Sequence, residues 1–127
     1  MDVTGWGQIK SGPNPEPKDF PDDLMVVRLK MNSDADCRKM FPYYVTPEMF
    51  CIGKKSKTTG TGDSGGPVVM KRVTTKEPVL IGIISGGRSD TLAGTICSNL
   101  THFGSWIEKR INDEDPRYEC KNVFPTP

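Results

Sequence analysis

Residues 59–69 read TGTGDSGGPVV, and this stretch limits the fold more than any other. Four glycines, a carboxylate and a hydroxyl stand together, and an apolar run follows at once. Glycine at that density means a backbone that turns sharply or comes close to another segment. Pro67-Val68-Val69-Met70 has strand chemistry, so the loop leads into a strand. Ser64, in the middle of the loop, has the setting of a nucleophile. A serine nucleophile needs a base, and the chain holds one histidine, His102, well downstream.

The rest of the chain reads as short strands. In DLMVVRLKM, Met25, Val27, Leu29 and Met31 alternate onto one face and Arg28 and Lys30 onto the other, the period of a half-buried strand. Asn32 or Ser33 is placed to cap a short helix running to about Met40. EMFCI (48–52) is a short strand. PVVM (67–70) and VLIGIIS (79–85) are apolar, β-branched runs with TTKEP between them, the pattern of a hairpin. TICSNL (95–100) is a last strand. Ser105 and Glu108 form an S-x-x-E capping box for a terminal helix with Trp106, Ile107 and Ile111 on its apolar face. Residues 8–22, rich in proline and polar groups, read as a surface loop, and Met31 and Met70 as core fillers. Strands followed by one helix indicate an all-β fold, an antiparallel barrel or sandwich closed by a C-terminal helix.

Composition narrows the classes. A chain of 127 residues is one domain's worth. With 17 basic and 16 acidic side chains, nothing points to nucleic acid or an anionic membrane as partner. No apolar run approaches the roughly 18–20 residues that span a bilayer, and MDVTGWG shows no signal-peptide pattern. The apolar fraction of 35% fits a loop-rich β-protein, or a piece that buries one face against something else. Four cysteines without a CxxC pair, and one histidine, do not make a structural zinc site, and no metal or cofactor is expected. Disulfides, and hence an oxidising, extracellular setting, are the better reading. A Cys37–Cys51 bridge would close a loop of about 15 residues and stabilise by roughly 3 kcal/mol. Asn99-Leu100-Thr101 is a glycosylation acceptor pattern beside a predicted strand.

Gly62-Asp63-Ser64-Gly65-Gly66 satisfies G-x-S-x-G, and Ser64, Asp90 and His102 stand in the chain order of an α/β-hydrolase triad. That elbow needs a strand before the serine and a helix after it, but here a loop (KKSKTTGT) precedes the serine and a strand follows. A second pattern fits better. GDSGGP, with TGWG upstream, MFC before it, a G-I-x-S strand after it and a terminal F-x-x-W-I helix, resembles the C-terminal half of a chymotrypsin-like serine protease from about Val3 to Ile107. Cys51 lies 13 residues before Ser64, and Cys37 14 before Cys51, as in that family. The resemblance implies an antiparallel six-stranded Greek-key β-barrel with a C-terminal helix over residues 1–112, and a tail over 113–127.

It also implies roles. Ser64 would be the nucleophile, and the Gly62 and Ser64 amides the oxyanion donors. Asp63 would be buried, its carboxylate matching the one that pairs with an amine released on activation. Ser85, Gly86 and Gly87 would offer main-chain groups to an extended substrate, and Thr58 would form the base of the specificity pocket. Cys37 and Cys51 would pair. The family does not account for Cys97 and Cys120, which could pair with each other.

The departures matter as much. The base and orienting carboxylate of the family lie in its N-terminal barrel, so Ser64 has no expected partner in this chain. Thr58 brings no negative charge to meet a lysine or arginine, which favours apolar or mixed substrate side chains. Gly86 stands where an aromatic wall is usual. Gly60 stands where the family has one half of a disulfide, and Met1 and Met70 where it has another pair. Two functions follow: a secreted serine endopeptidase half, silent alone, whose partners are a polypeptide substrate or inhibitor and an N-terminal barrel, or a non-catalytic protease homologue serving as a binding or regulatory module.

Overall fold

The computed structural model describes residues 1–10, 14–54, 57–87, 94–114 and 117. The short apolar runs become β2 (Met25–Arg28), β3 (Met49–Ile52), β4 (Pro67–Lys71), β5 (Pro78–Gly87) and β6 (Thr95–Asn99), and a further strand, β1 (Asp2–Gly5), precedes them. They form one antiparallel sheet in the order β2-β1-β4-β5-β6-β3. Beyond Arg28 the chain crosses from one sheet edge to the other. Met31 bridges Ile52, the Gly53 N–H donates to the Lys30 carbonyl at 2.9 Å, and the Asn32 N–H to the Cys51 carbonyl at 3.0 Å. These bonds join the two edges and close the sheet into a barrel, which leaves fewer open strand edges.

The connectivity is a Greek key. β4, β5 and β6 are neighbours in sequence and in space, while β3 lies beside β6 and reaches β4 only through residues 53–66. That long crossover is the glycine-rich segment. The fold therefore lays it across one end of the barrel, tied to β3 at its start and to β4 at its finish.

Alternation sets the core. In β5, Gly82 and Ile84 face inward between more exposed neighbours. Ile84 packs with Val3, Leu29, Phe50, Ile52, Val68 and Cys97. Gly82 must be glycine, because a Cβ there would come within 2.5 Å of the Phe50 ring. The predicted face of the β2 run is only half realised. Leu29 is buried and Val27 partly so, but Met25 and Met31 are exposed. Met70 is exposed as well. The methionines fail as core fillers because they lie at the rims: Met25 lines the cavity described below, and Met31 and Met70 a second, smaller one that Met1 also lines. Trp6, Leu24 and Val26 are exposed too, so the barrel carries considerable apolar surface.

A second cluster, Cys37, Phe41, Tyr44, Cys51 and Ile96, lies under α1 (Asp34–Met40). Ser33 is its cap, accepting the Asp36 N–H and donating to the Asp36 carboxylate at 2.8 Å. The helix carries Cys37 to Cys51, and the disulfide forms as expected, with Cα atoms 5.8 Å apart. Cys97 is a free, fully buried thiol in the barrel core, and Cys120, the partner considered for it, lies outside the described residues. It points inward because β6 pairs on both sides and its alternation puts position 97 inside. Burial pushes this thiol up to about 12.

The terminal helix α2 spans Leu100–Glu114, so it starts before the predicted Ser105 box. Asn99, the last residue of β6, accepts the Thr101 N–H at 3.2 Å and takes the capping role. The helix docks on β5 and buries Leu100 and Gly104, while Trp106 stays exposed.

Candidate active site

Three glycines of the crossover 53–66, Gly53, Gly62 and Gly65, hold backbone that only glycine adopts easily. Gly62 has φ +97° and Gly65 φ +82°. The Gly66 N–H donates to the Asp63 carbonyl at 2.9 Å, so Asp63–Gly66 is a type II turn with Gly65 at its left-handed position. Two further bonds pin this turn to β5: Gly65 N–H to the Ile84 carbonyl at 2.8 Å and Ile84 N–H to the Gly66 carbonyl at 2.9 Å. Ser64 occupies the first corner of the turn and is left exposed. The Gly62 and Ser64 amides have no acceptor among the described residues, and both residues line the cavity described below.

Asp63 holds the loop from beneath. One carboxylate oxygen accepts the Gly7 N–H and the other the Gly60 N–H, both at 2.8 Å. The residue is half-buried and not fully buried as the sequence implied. Its place explains the TGWG motif, because a Cβ on Gly5 or Gly7 would fall within 2.0 or 2.4 Å of the carboxylate group. The amine of Met1 is elsewhere, donating to the Leu29 carbonyl at 3.0 Å. Gly60 is equally constrained. A Cβ there would stand 2.0 Å from the Gln8 carbonyl oxygen, so the cysteine that the resemblance puts at this position has no room.

A cavity of about 640 Å³ opens beside the loop. Thr58, Gly62, Asp63, Ser64, Gly86 and Gly87 all line it, so the barrel brings most of the predicted site residues to one place. Ser85 does not line it, and its hydroxyl pairs with Ser98 at 2.9 Å. A register shift between Ile84 and Gly86 turns β5 here. Pairing with β4 stops at Ile83, while Gly86 and Gly87 still pair with β6. The last residues of β5 therefore have one edge without a strand partner. A Cβ on Gly86 would meet nothing within 4 Å, so this wall is open.

The sequence reading missed Thr95. It is fully buried, and its hydroxyl bonds those of Thr58 and Thr59 at 2.9 and 2.7 Å. The only signal for it was a polar residue at an inward position of the last strand. His102 is exposed in the first turn of α2, its ring edge-on to Phe103 at 4.9 Å, and does not line the cavity. Asp90 lies outside the described residues, so the hydrolase-type triad gains no support. Asn99 uses both ends of its side chain: the amide nitrogen that would carry a sugar donates to the Pro47 carbonyl at 2.8 Å. Among the described residues no group of three or more His, Cys, Asp or Glu side chains could hold a metal ion, and no helix is long and apolar enough to cross a membrane.

Known proteins share this arrangement of sequence. The Trypsin family model matches residues 1–107. The chain is 36% identical over 119 residues to glandular kallikrein-3, submandibular, of Rattus norvegicus, covering 90% of this chain and 57% of that protein. It is 34% identical to kallikrein-1 of Mus musculus, covering 89% and 41%, and 34% identical to kallikrein-14 of Homo sapiens, covering 88% and 40%. The chain spans about half the length of these relatives. A family match that runs through the cradle, the turn and both flanking strands makes this chain a member of the trypsin family of serine proteases.

Proposed function

We propose that this chain carries the nucleophile half of a secreted serine endopeptidase. Ser64 Oγ attacks the scissile carbonyl, and the Gly62 and Ser64 amides receive the oxyanion that forms. The unpaired edge at residues 85–87 takes the substrate backbone as an added strand, leading it past Ser64 into the cavity. The observation that carries this reading is the exposed Ser64 beside two amides without acceptors, on a turn clamped by Asp63. Preformed donors of this kind are worth roughly 10²–10³ in kcat each.

The base must come from a partner barrel, because His102, the one histidine of the sequence, does not line the cavity that Ser64 lines. By itself the chain is catalytically silent. Its partners are a polypeptide substrate or inhibitor and that second barrel, which would cover part of the exposed apolar surface. The Cys37–Cys51 bridge supports an extracellular setting. The alternative, a protease homologue used for binding, draws on the uncharged Thr58 and the open wall at Gly86.

Fluorophosphonate labelling separates these readings. The 127-residue protein should label no faster than its Ser64→Ala variant. The product of the whole transcript should label at Ser64 if an upstream barrel supplies a histidine. Rapid labelling of the short chain overturns its silence. A full-length product that never labels overturns the enzyme reading and leaves the binding module.

A further inference from the structure

Four of the six methionines, Met1, Met31, Met49 and Met70, line the second cavity, which holds about 310 Å³. The sheet register brings them together. Asp2 pairs with Val69, so one step further along the same antiparallel ladder Met1 falls opposite Met70. The Leu29 N–H donates to the Met1 carbonyl at 2.9 Å and the Met1 amine to the Leu29 carbonyl at 3.0 Å, which fixes the Met1 backbone in that register. Side chains opposite each other on one face of a ladder stand roughly 5 Å apart at Cβ. These are the two positions where the resemblance puts a cysteine pair. Met31 reaches the same cavity from the barrel's closure, where it bridges Ile52, and Met49 from the start of β3.

Core packing does not account for the set, because Met31 is 51% and Met70 47% exposed. An unbranched thioether side chain is adaptable enough to turn its sulfur toward a shared point. Thioethers are soft, neutral donors, and they select Cu(I) over harder ions. They carry no proton and no thiol to be bridged, so four of them suit the oxidising setting that the Cys37–Cys51 disulfide supports. The other lining groups agree. Asp34 is the one charged side chain among them and offers a single negative charge, enough for one monovalent cation. A hard cation such as Ca²⁺ needs six or more oxygens. Here the Asn99 side-chain oxygen already accepts the Thr101 N–H, and the Tyr44 hydroxyl donates to Asp34 at 2.7 Å. No histidine lines the cavity, and cysteine and histidine spacing rules out only a zinc-type site, not a thioether one.

We infer that Met1, Met31, Met49 and Met70 bind one soft monovalent metal ion, Cu(I), with the Asp34 carboxylate as its counter-charge. This cavity shares no lining residue with the one beside Ser64, so the site stands whether or not Ser64 is catalytic.

The 127-residue protein is titrated with Ag⁺, a redox-stable ion of the same class, and with Cu(I) kept reduced by ascorbate. Cys120→Ser is the background, which removes a competing thiol. The methyl signals of all six methionines are followed by NMR. Met1, Met31, Met49 and Met70 should move together and stop at one equivalent of either ion, while Met25 and Met40 stay still. Zn²⁺ and Ca²⁺ should move none of them. Met70→Leu and Met31→Leu keep the apolar bulk and remove one sulfur each. Even outer-shell partners of a metal are worth 10- to 100-fold in affinity, so each variant should bind at least about 10-fold more weakly. Because thioethers carry no proton, the affinity should stay flat from about pH 6 to 8.

No movement with Cu(I), or equal movement of all six methionines, overturns the inference. So does Zn²⁺ or Ca²⁺ binding at these four residues, or an unchanged affinity in both leucine variants. A shift of the Cys97 amide without the four methyl signals assigns the ion to that thiol and overturns it as well.

Discussion

Asp63→Asn is the perturbation that most directly probes how the loop is held. The wild-type carboxylate accepts two backbone amides, from Gly7 and Gly60, each at 2.8 Å. An asparagine keeps one accepting oxygen and turns an NH2 toward the other N–H, where two donors then face each other. One hydrogen bond to a charged group is lost, and one amide is left without a partner. Such bonds contribute about 1.5–3 kcal/mol, and the half-buried setting still desolvates the orphaned amide, so the expected loss is about 2–3 kcal/mol. With a urea dependence of roughly 1–2 kcal/mol per molar for a domain of this size, the unfolding midpoint should fall by about 1–2 M. Circular dichroism during urea titration measures it. Asp23→Asn, at an exposed position, is the control and should stay within about 0.5 kcal/mol of wild type. If Asp63→Asn unfolds at the wild-type urea concentration, the carboxylate does not hold the loop and the glycine cradle needs another explanation.

Two further predictions concern the cluster under α1. Burial, then the Asp34 carboxylate at 2.7 Å, pushes the Tyr44 phenol up from its ordinary value to about 12. The folded state thus holds the proton more tightly than the unfolded chain, so stability is intact below pH 10 and falls as pH rises toward 12. Urea titrations across that range should show the decline, and Tyr44→Phe should flatten it; an equal slope in both proteins removes Tyr44 as the cause. Reducing Cys37–Cys51, which spans 14 residues, should lower stability by about 3 kcal/mol. That corresponds to a melting temperature lower by about 10 °C, and an unchanged melt after verified reduction refutes it.

Much of the fold could be read from neighbours along the chain. The alternation in Val79–Ser85 and the apolar run at Val68 follow from the period of a strand. The Ser33 cap and the glycines at 62 and 65 answer to local backbone needs that any fold would impose. The motif series was enough to identify the family and to place Ser64, Gly62, Thr58 and the Gly86–Gly87 edge at one site.

Other features depend on which distant segments meet, and local pattern does not contain that. Met25, Met31 and Met70 carry core chemistry, but the barrel's closure puts them at its rims. Helix α2 begins at Leu100 because β6 ends there with Asn99 in reach of the Thr101 amide, while Ser105 offered an equally good local cap. Asp63 finds Gly7 across 56 positions of sequence, and Thr95 finds Thr58 across 37. By itself the sequence determined five of the six strands, the turn and the serine at its corner. Only the tertiary structure decided what clamps that turn and what floors the cavity beside it, because hydrogen bonds between remote segments exist only once the sheet register has brought them within 3 Å.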